Sequence, residues 1–335
     1  MTTWLITGGA GYIGGHVAEA LIAAGRDVVI YDDFSSGLMS RVPAKVPVVR
    51  GSVQDPHSVA IALRDYEVGG VVHLAGSLLR GEVHHAAKKA AGESVDLPLY
   101  YYRENVDGVL AVLEAMQQEG VGRLVYSSSA SVYGTPVENP ITEAAPLRPE
   151  SPYGETKVVG EWLAGASETA WDLVWAGMRY FNVAGAGSDA LGDTSVNNLI
   201  PMVFRALEQG RRPQIFGDDY PTPDGTCVRD YIHVVDLADA HVAAALALEE
   251  GHSIGPVNVG RGVGSSVREV MDMVADVLGR DIDPEVAGRR AGDPAASFAA
   301  TGKIERDFGW FAGHDLRDMV ESAWSAWSAR SDTTD

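Results

Sequence analysis

Short apolar runs alternate with longer amphipathic patterns through the first half of this 335-residue chain. The runs predict strands at residues 4–7, 27–31, 46–50, 70–74, 123–127 and 173–178. Between the first two runs, Ile13, Val17 and Leu21 recur at helical spacing, and Gly25 stands where a helix commonly ends. Strands that alternate with helices are typical of units that feed a parallel sheet. We therefore expect an α/β fold built on a doubly wound parallel sheet.

The alternation loosens after about residue 180. Loops rich in glycine and proline cover 185–193 and 217–225, and helical patterns cover 199–208, 235–248 and 267–278. Long loops in compact proteins often carry binding sites. The change predicts a main domain at 1–180 and a smaller C-terminal α/β substrate-binding region at 181–330, with some segments returning to the first sheet. The polar residues 331–335 predict a disordered tail.

Composition narrows the partners that the chain can have. Lys and Arg total 26 against 46 Asp and Glu, a formal net charge of −20. Such a surface repels nucleic-acid phosphates and anionic lipids, so neither a nucleic-acid nor a membrane partner is expected. The single cysteine, Cys227, excludes an internal disulfide, and without a Cys/His cluster we expect no metal. The chain has no secretory signal pattern and no membrane-length apolar run, which predicts a cytoplasmic protein.

A glycine-rich loop follows the first predicted strand and opens the first predicted helix. Gly8, Gly11 and Gly14 recur every three residues, with Tyr12 and Ile13 between the last two. In this context glycines permit a tight turn and a close backbone approach to a pyrophosphate, as in Rossmann-type dinucleotide sites. The bland alternative is a purely structural turn.

The second predicted strand leads into Asp32, at about the distance from the glycine loop where a carboxylate accepts hydrogen bonds from the adenosine ribose. A carboxylate there would repel a 2′-phosphate, and no arginine follows before Arg41. NAD is therefore predicted over NADP.

Ser129 lies at the end of the fifth predicted strand, and Tyr153 and Lys157 are one helical turn apart. A nearby ammonium and a positive nicotinamide would lower the pKa of the Tyr153 phenol and make it a general acid or base, with Ser129 holding the substrate hydroxyl. The alternative is a solvated helix face, but the combination with the glycine loop makes that interpretation unfavourable.

These three elements resemble the extended branch of the short-chain dehydrogenase/reductase superfamily. Further segments resemble the UDP-glucose 4-epimerase family over nearly the whole chain, namely 127–134 (SSSASVYG), 151–157 (SPYGETK), 179–186 (RYFNVAGA) and 224–240 (DGTCVRDYIHVVDLADA). The resemblance implies that tightly bound NAD takes a hydride from sugar C4 while Tyr153 takes the hydroxyl proton. The resulting 4-keto sugar turns over and the hydride returns to the opposite face. A homodimer is also implied.

The resemblance carries further roles onto matching positions. Beyond the glycine loop, the implied cofactor contacts are Asp32, Ser52, Val53, Leu74, Ala75, Gly76, Lys89, Asn105, Ser127, Tyr153, Lys157 and Tyr180. The implied UDP-sugar contacts are Ser129, Ser131, Tyr153, Phe181, Asn182, Asn198, Leu199, Gln214, Phe216, Arg229, Arg290, Asp293 and Ser297. Among these, Arg229 and Arg290 would hold the diphosphate, Phe216 the uracil and Asp293 the uridine ribose.

Several positions bear on specificity. Ala130 and Ser131 replace the acids that related dehydratases and decarboxylases carry, which disfavours those reactions. By the resemblance, Ser297 falls where the family has either a bulky tyrosine or a small residue beside sugar C2, and a small residue predicts that UDP-GlcNAc and UDP-GalNAc are also accepted. Another UDP-sugar, such as a uronate or a pentose, remains an alternative substrate. A catalytically idle NAD sensor and a net dehydrogenase are the alternative functions.

The chain departs from the family at two places near the cofactor. Two Gly-Glu-Ser-like copies, 81–83 and 92–94, lie eleven residues apart, as if a short segment had been inserted. The first copy puts Leu78 at the family's cofactor lysine, and the second supplies Lys89 but makes 77–87 an insertion of eleven residues. We prefer Lys89. At the adenine, Ser52 stands where the family usually has Asp, and a neutral hydroxyl would bind NAD less tightly.

Overall fold

A seven-stranded parallel sheet dominates the computed structural model, which describes residues 2–76, 90–290 and 292–331. The strands, in chain order, are β1 (Thr3–Thr7), β2 (Asp27–Asp32), β3 (Val48–Arg50), β4 (Val68–His73), β5 (Arg123–Ser129), β6 (Val174–Tyr180), β7 (Asn182–Ala184), β8 (Gln214–Phe216), β9 (Val228–His233), β10 (Gly255–Val259), β11 (Gly264–Ser266), β12 (Glu285–Ala287) and β13 (Ala296–Ser297). The large sheet has the order β3-β2-β1-β4-β5-β6-β10, and its neighbours are all parallel. The predicted doubly wound Rossmann-type fold is confirmed.

Helices cover both faces of this sheet. In chain order they are α1 (Tyr12–Ala23), α2 (Pro56–Asp65), α3 (Ala90–Asp96), α4 (Pro98–Tyr102), α5 (Gly108–Glu119), α6 (Pro152–Trp171), α7 (Leu199–Glu208), α8 (Val234–Glu249), α9 (Val267–Leu278), α10 (Gly302–Phe308) and α11 (Leu316–Ser331). Residues of α1, α8 and α10 form one core layer with the sheet, and residues of α2, α5 and α6 form the other. Strands covered on both faces read as continuous apolar runs, which is why they are visible in the sequence.

Strand order reverses between β1 and β4, which are neighbours although β2 and β3 lie between them in the sequence. In open α/β sheets, ligands bind beyond the carboxyl ends of the strands at such a switch point. The glycine loop follows β1, and Ser129 ends β5. The fold thus brings the two predicted motifs to one edge of the sheet.

The second half of the chain is organised around β9, which pairs with β7 and β13 in parallel and with β11 antiparallel. A separate pair, β8 and β12, lies outside this sheet. Helices α7, α9 and α11 share an apolar core with β9. Strand β10 rejoins the large sheet beside β6. The division at residue 180 stays a prediction, and the predicted tail lies outside the described residues except for Ser331.

No helix in the described part of the chain is both long enough and apolar enough to cross a membrane.

Candidate active site

The glycine loop is packed so tightly that side chains would not fit. Gly8 has φ +71°, and a Cβ there would lie 2.8 Å from the backbone nitrogen of Ala75. At Gly14, a Cβ would lie 2.3 Å from the carbonyl oxygen of Gly8. The loop ends at Gly11, the N-cap of α1, and the first turn of α1 carries no acidic residue. Its backbone amides therefore offer a site for a phosphate anion.

The side chains of Tyr12 and Ile13 are engaged within the protein. The Tyr12 hydroxyl donates to the carbonyl oxygen of Gly185 at 2.6 Å, and Ile13 packs against the core. These two predicted cofactor residues can therefore offer a ligand mainly their backbone.

Asp32, the last residue of β2, is 8% exposed and reaches back to the glycine loop. Its carboxylate accepts hydrogen bonds from the backbone N–H of Ala10 at 3.0 Å and of Phe34 at 2.8 Å. Burial raises its pKa. The structure thus places Asp32 beside the loop, as the spacing predicts.

The remaining predicted cofactor residues line the neighbouring strand ends. Leu74 donates its N–H to Thr7 at 3.1 Å. A Cβ on Gly76 would lie 3.2 Å from Oδ1 of Asn105 and 3.9 Å from Nζ of Lys157, so these three residues meet. Asn105 donates to the Thr156 hydroxyl in α6 at 3.0 Å.

Three predicted cofactor residues remain, namely Ser52, Val53 and the lysine. Ser52 is exposed, and its hydroxyl accepts from the N–H of Gln54 at 3.2 Å. Val53 packs beside Gly108, where a Cβ would lie 3.1 Å from its Cγ2. Lys89 and its alternative Leu78 lie outside the described residues.

Ser127, Ser129, Tyr153, Lys157 and Tyr180 meet at the carboxyl end of β5. Lys157 donates from Nζ to the Ser127 carbonyl at 2.8 Å, and Nζ lies 5.6 Å from the centre of the Tyr153 ring. The Ser127 and Tyr180 hydroxyls are 2.5 Å apart. Ser129 accepts from the N–H of Ser131 at 3.2 Å and from its hydroxyl at 3.0 Å. The predicted catalytic group is thus assembled in one place.

Burial shifts the pKa values of Tyr153 and Lys157 in opposite directions. Burial raises the pKa of Tyr153, the nearby Tyr180 adds to the effect, and a hydrogen bond with Ser129 opposes it. Burial lowers the pKa of Lys157 to about 8. Burial is thus the largest influence of the protein on the Tyr153 pKa, and the predicted fall, which also depends on a positive nicotinamide, stays a prediction.

Two residues that contact Tyr153, Ser94 and Tyr101, were not predicted from the sequence. Ser94 in α3 accepts the backbone N–H of Tyr153 at 3.1 Å. The Tyr101 ring in α4 meets the Tyr153 ring edge-on, with centroids 6.4 Å apart. The available signal was the repeated Gly-Glu-Ser, whose second copy, 92–94, is the one that supplies Ser94.

A second group of predicted residues lies around β9. Arg229 is 8% exposed, donates to the Pro294 carbonyl at 2.8 Å and lies 3.5 Å from a carboxylate oxygen of Asp293. The guanidinium of Arg290 lies 3.6 Å above the Phe216 ring, and burial lowers the Arg290 pKa. The structure therefore brings two cations, an aromatic ring and a carboxylate together.

Ser297 belongs to this group because it is the β13 partner of Arg229. At the start of β8, Gln214 is exposed. Asn198 is the N-cap of α7, which Leu199 begins, and its side chain is bound to Asp193 at 3.2 Å.

Strand pairing connects the two groups. Tyr180 pairs with Ser129 across β5 and β6. Phe181 is buried and donates its N–H to Val259 at 3.3 Å. Asn182 then pairs with Tyr231, two residues beyond Arg229 in β9. A ligand that reaches from Tyr153 toward Arg229 would pass along β7.

The residues present fit a bound dinucleotide: the loop leaves no room for a Cβ, the start of α1 exposes amides, and Asp32 lies at the end of β2. An enzyme that holds such a cofactor near a Ser-Tyr-Lys group is a short-chain dehydrogenase/reductase in the broad sense, and this is the class that the fold and the site define. The chain belongs to the NAD dependent epimerase/dehydratase family, whose model matches residues 4–260. The predicted family and the predicted NAD cofactor are confirmed.

Similar proteins agree with this assignment. A UDP-glucose 4-epimerase of Corynebacterium glutamicum is 42% identical over 332 residues, which cover 98% of this chain and 96% of that protein. The crystal structure of UDP-glucose-4-epimerase from Stenotrophomonas maltophila, with bound NAD and formylated UDP-arabinopyranose, superposes with a TM-score of 0.91 at 38% identity and full coverage of both chains. The UDP-Glc/GlcNAc 4-epimerase of Campylobacter jejuni gives a TM-score of 0.85 at 32% identity, covering 98% of this chain and 100% of that one.

Proposed function

We propose that this protein interconverts UDP-glucose and UDP-galactose by inverting sugar C4, with no net redox change. The observation that carries the proposal is the meeting of Tyr153, Lys157 and Ser129 at the switch-point edge of the sheet. Relatives of similar length that are named UDP-glucose 4-epimerase support the substrate.

The residues of the chain divide the work between holding the cofactor and moving a proton. The amides of the glycine loop hold the pyrophosphate, and Asp32 accepts from the adenosine ribose. NAD, when bound, supplies the hydride acceptor for C4, and its positive ring favours the ionised phenol of Tyr153. Tyr153 takes the C4 hydroxyl proton and later returns it. Ser129 holds the hydroxyl at the phenol, and Lys157 supplies positive charge.

The group around β9 anchors the nucleotide in this proposal. Two guanidiniums, Arg229 and Arg290, suit a doubly charged diphosphate. Since Arg290 covers one face of Phe216, the uracil would use the other face. Anchoring the diphosphate leaves the hexose free to turn between the two hydride transfers. Asp293, beside Arg229, is proposed to accept from the uridine ribose.

We propose that UDP-GlcNAc and UDP-GalNAc are also substrates, because the side chain of Ser297 is small. Its pairing with Arg229 supports a place along the path of the substrate. The similar Campylobacter jejuni protein, whose name includes both UDP-Glc and UDP-GlcNAc, favours the same range.

The deciding experiment incubates the purified protein with UDP-galactose, UDP-GlcNAc and UDP-glucuronate without added NAD. We expect UDP-glucose and UDP-GalNAc to form from the first two substrates with no NADH. Conversion of UDP-glucuronate alone would favour the epimerase of another UDP-sugar, and accumulation of NADH would favour a dehydrogenase. No turnover by protein that retains NAD would favour a sensor.

We also propose that the protein works as a cytoplasmic homodimer. Large apolar side chains are exposed on neighbouring helices, with Leu99 of α4 79%, Leu110 of α5 42% and Trp162 of α6 65% exposed. A second copy would remove them from water. Light scattering should give a dimer mass that Trp162→Glu reduces to that of a monomer. Phe311→Glu, at another exposed apolar residue, should leave the mass unchanged.

A further inference from the structure

Tyr153 is held at two points by residues that its own helix does not supply. The first is its backbone. Helix α6 begins at Pro152, its N-cap Ser151 accepts the N–H of Gly154 at 3.2 Å, and the N–H of Tyr153 is accepted by Ser94 at 3.1 Å. The first N–H groups of a helix have no partner within the helix, so one from α3 fixes where α6 starts. Ser94 is fully buried.

The second point is the ring. Tyr101 is fully buried and lies perpendicular to the Tyr153 ring, at 88°. An edge-to-face contact of this kind favours one ring orientation. Tyr101 is fixed in turn, since its hydroxyl donates to a carboxylate oxygen of Glu93 at 2.6 Å. Glu93 and Ser94 are adjacent in α3. This one short helix therefore holds both the Tyr101 ring, through Glu93, and the first turn of α6, through Ser94.

We infer that Ser94 and Tyr101 are positioning residues for Tyr153, keeping its phenol at Ser129 and on the same side as the Lys157 ammonium. The inference rests on the proposed function, in which Tyr153 transfers the proton. Burial makes the ionised phenol costly, so its ionisation depends on the alignment with the few groups that favour it. A displaced phenol would lose the hydrogen bond with Ser129 and ionise at higher pH.

Four single variants test this. Tyr101→Leu removes the aromatic ring that contacts Tyr153, whereas Tyr101→Phe keeps the ring and removes only the hydroxyl. Ser94→Ala removes the acceptor for the Tyr153 N–H. Tyr102→Phe is the matched control, because Tyr102 makes the same kind of bond, 2.8 Å to Glu155 of α6, at an exposed position. Each is assayed for kcat, KM and the pH dependence of kcat with UDP-galactose, and for NAD content and folding.

For Tyr101→Leu and Ser94→Ala we expect kcat to fall by about ten- to a hundredfold, the range for a slightly misplaced reacting group, while KM stays within about twofold. The acid limb of the kcat profile should move to higher pH. Tyr101→Phe, which keeps the ring but loses its bond to Glu93, should fall between wild type and Tyr101→Leu, and Tyr102→Phe should stay within about threefold of wild type with an unshifted profile. A merely structural role would lower the amount of folded protein without moving the acid limb.

Wild-type kcat and an unshifted acid limb in both folded variants, Tyr101→Leu and Ser94→Ala, would overturn the inference. If one of them fails to fold, the other decides. If wild-type protein does not epimerise UDP-galactose, the proposed function fails, and crystal structures of the variants then decide the positioning. A displaced Tyr153 ring would support the inference, and an unmoved ring in both variants would refute it.

Discussion

The ammonium of Lys157 lies 5.6 Å from the centre of the Tyr153 ring but gives its 2.8 Å hydrogen bond to the carbonyl of Ser127. The end of β5 therefore sets the position of the ammonium beside the Tyr153 ring. Its pKa of about 8 leaves it mostly protonated near neutral pH. Lysine, phenol and strand end therefore lie together at one edge of the sheet.

Replacing Tyr153 by Phe removes the proton acceptor and leaves the ring. We expect kcat for UDP-galactose to fall by at least about a hundredfold, the lower range for loss of a general acid or base. UDP binding, measured by calorimetry, and NAD content should stay close to wild type. Unchanged turnover would contradict the proposed role of Tyr153.

Ser297→Tyr should narrow the substrate range, because a bulky ring beside Arg229 would fill the space proposed for an N-acetyl group. Turnover of UDP-GlcNAc should be lost while turnover of UDP-galactose is largely kept, as measured in parallel and in competition. Ser297→Ala is the control and should accept both substrates. If the wild type does not convert UDP-GlcNAc, the argument from side-chain size is wrong.

The buried ion pair beneath the catalytic helix should be important for stability. Arg179 donates to Glu161 at 2.6 Å, and Ser128 donates to the same carboxylate at 2.5 Å. Glu161→Ala would leave a buried guanidinium uncompensated and should lower the free energy of unfolding by about 3–5 kcal/mol. Replacing both partners by Met should recover part of that loss. Urea unfolding of Glu161→Met, Arg179→Met and the double variant measures the coupling.

Stability should fall as the pH falls below about 6.5, the value for an unperturbed histidine. Burial lowers the pKa of four histidines, to about 3 for His73 and about 4 for His16, His233 and His241. Between those values and about 6.5 the unfolded chain binds protons that the folded chain does not, so the free energy of unfolding rises with pH across this window.

Some carboxyls have the opposite sign, since burial raises the pKa values of Asp32, Asp193, Asp230 and Asp239. The pKa of Asp230 is raised to about 6 by burial, so its folded form binds an extra proton between about 3.9 and that value. The four histidines should outweigh these carboxyls, because each has its pKa lowered to about 4 or about 3. Urea unfolding at pH 7.5, 6 and 5 checks the direction, and equal stability at all three would contradict it. His241→Met should reduce the slope of unfolding free energy against pH, because it removes one of the four histidines. Met suits this position because the buried Nε2 has no hydrogen-bond partner among the described residues.

Local spacing made much of the site predictable. Gly8, Gly11 and Gly14 are read directly from the chain, as is the one-turn separation of Tyr153 and Lys157. Spacing gives no access to contacts between distant segments. Ser94 and Tyr153 are 59 positions apart in the sequence but share a hydrogen bond. Arg290, between β12 and β13, stacks on Phe216 at the end of β8.

The sequence by itself determined the alternation of strands and helices, the dinucleotide loop and the one-turn spacing of Tyr153 and Lys157, because each depends on neighbours within one or two turns. Only the tertiary structure decided how these groups are charged and aligned. Desolvation is the sum over every atom packed around a group, so the rise that burial gives the Tyr153 pKa cannot be inferred from the spacing of Tyr153 and Lys157. The contacts of Tyr101 and Ser94 with Tyr153 likewise form only when α3 and α4 pack against α6.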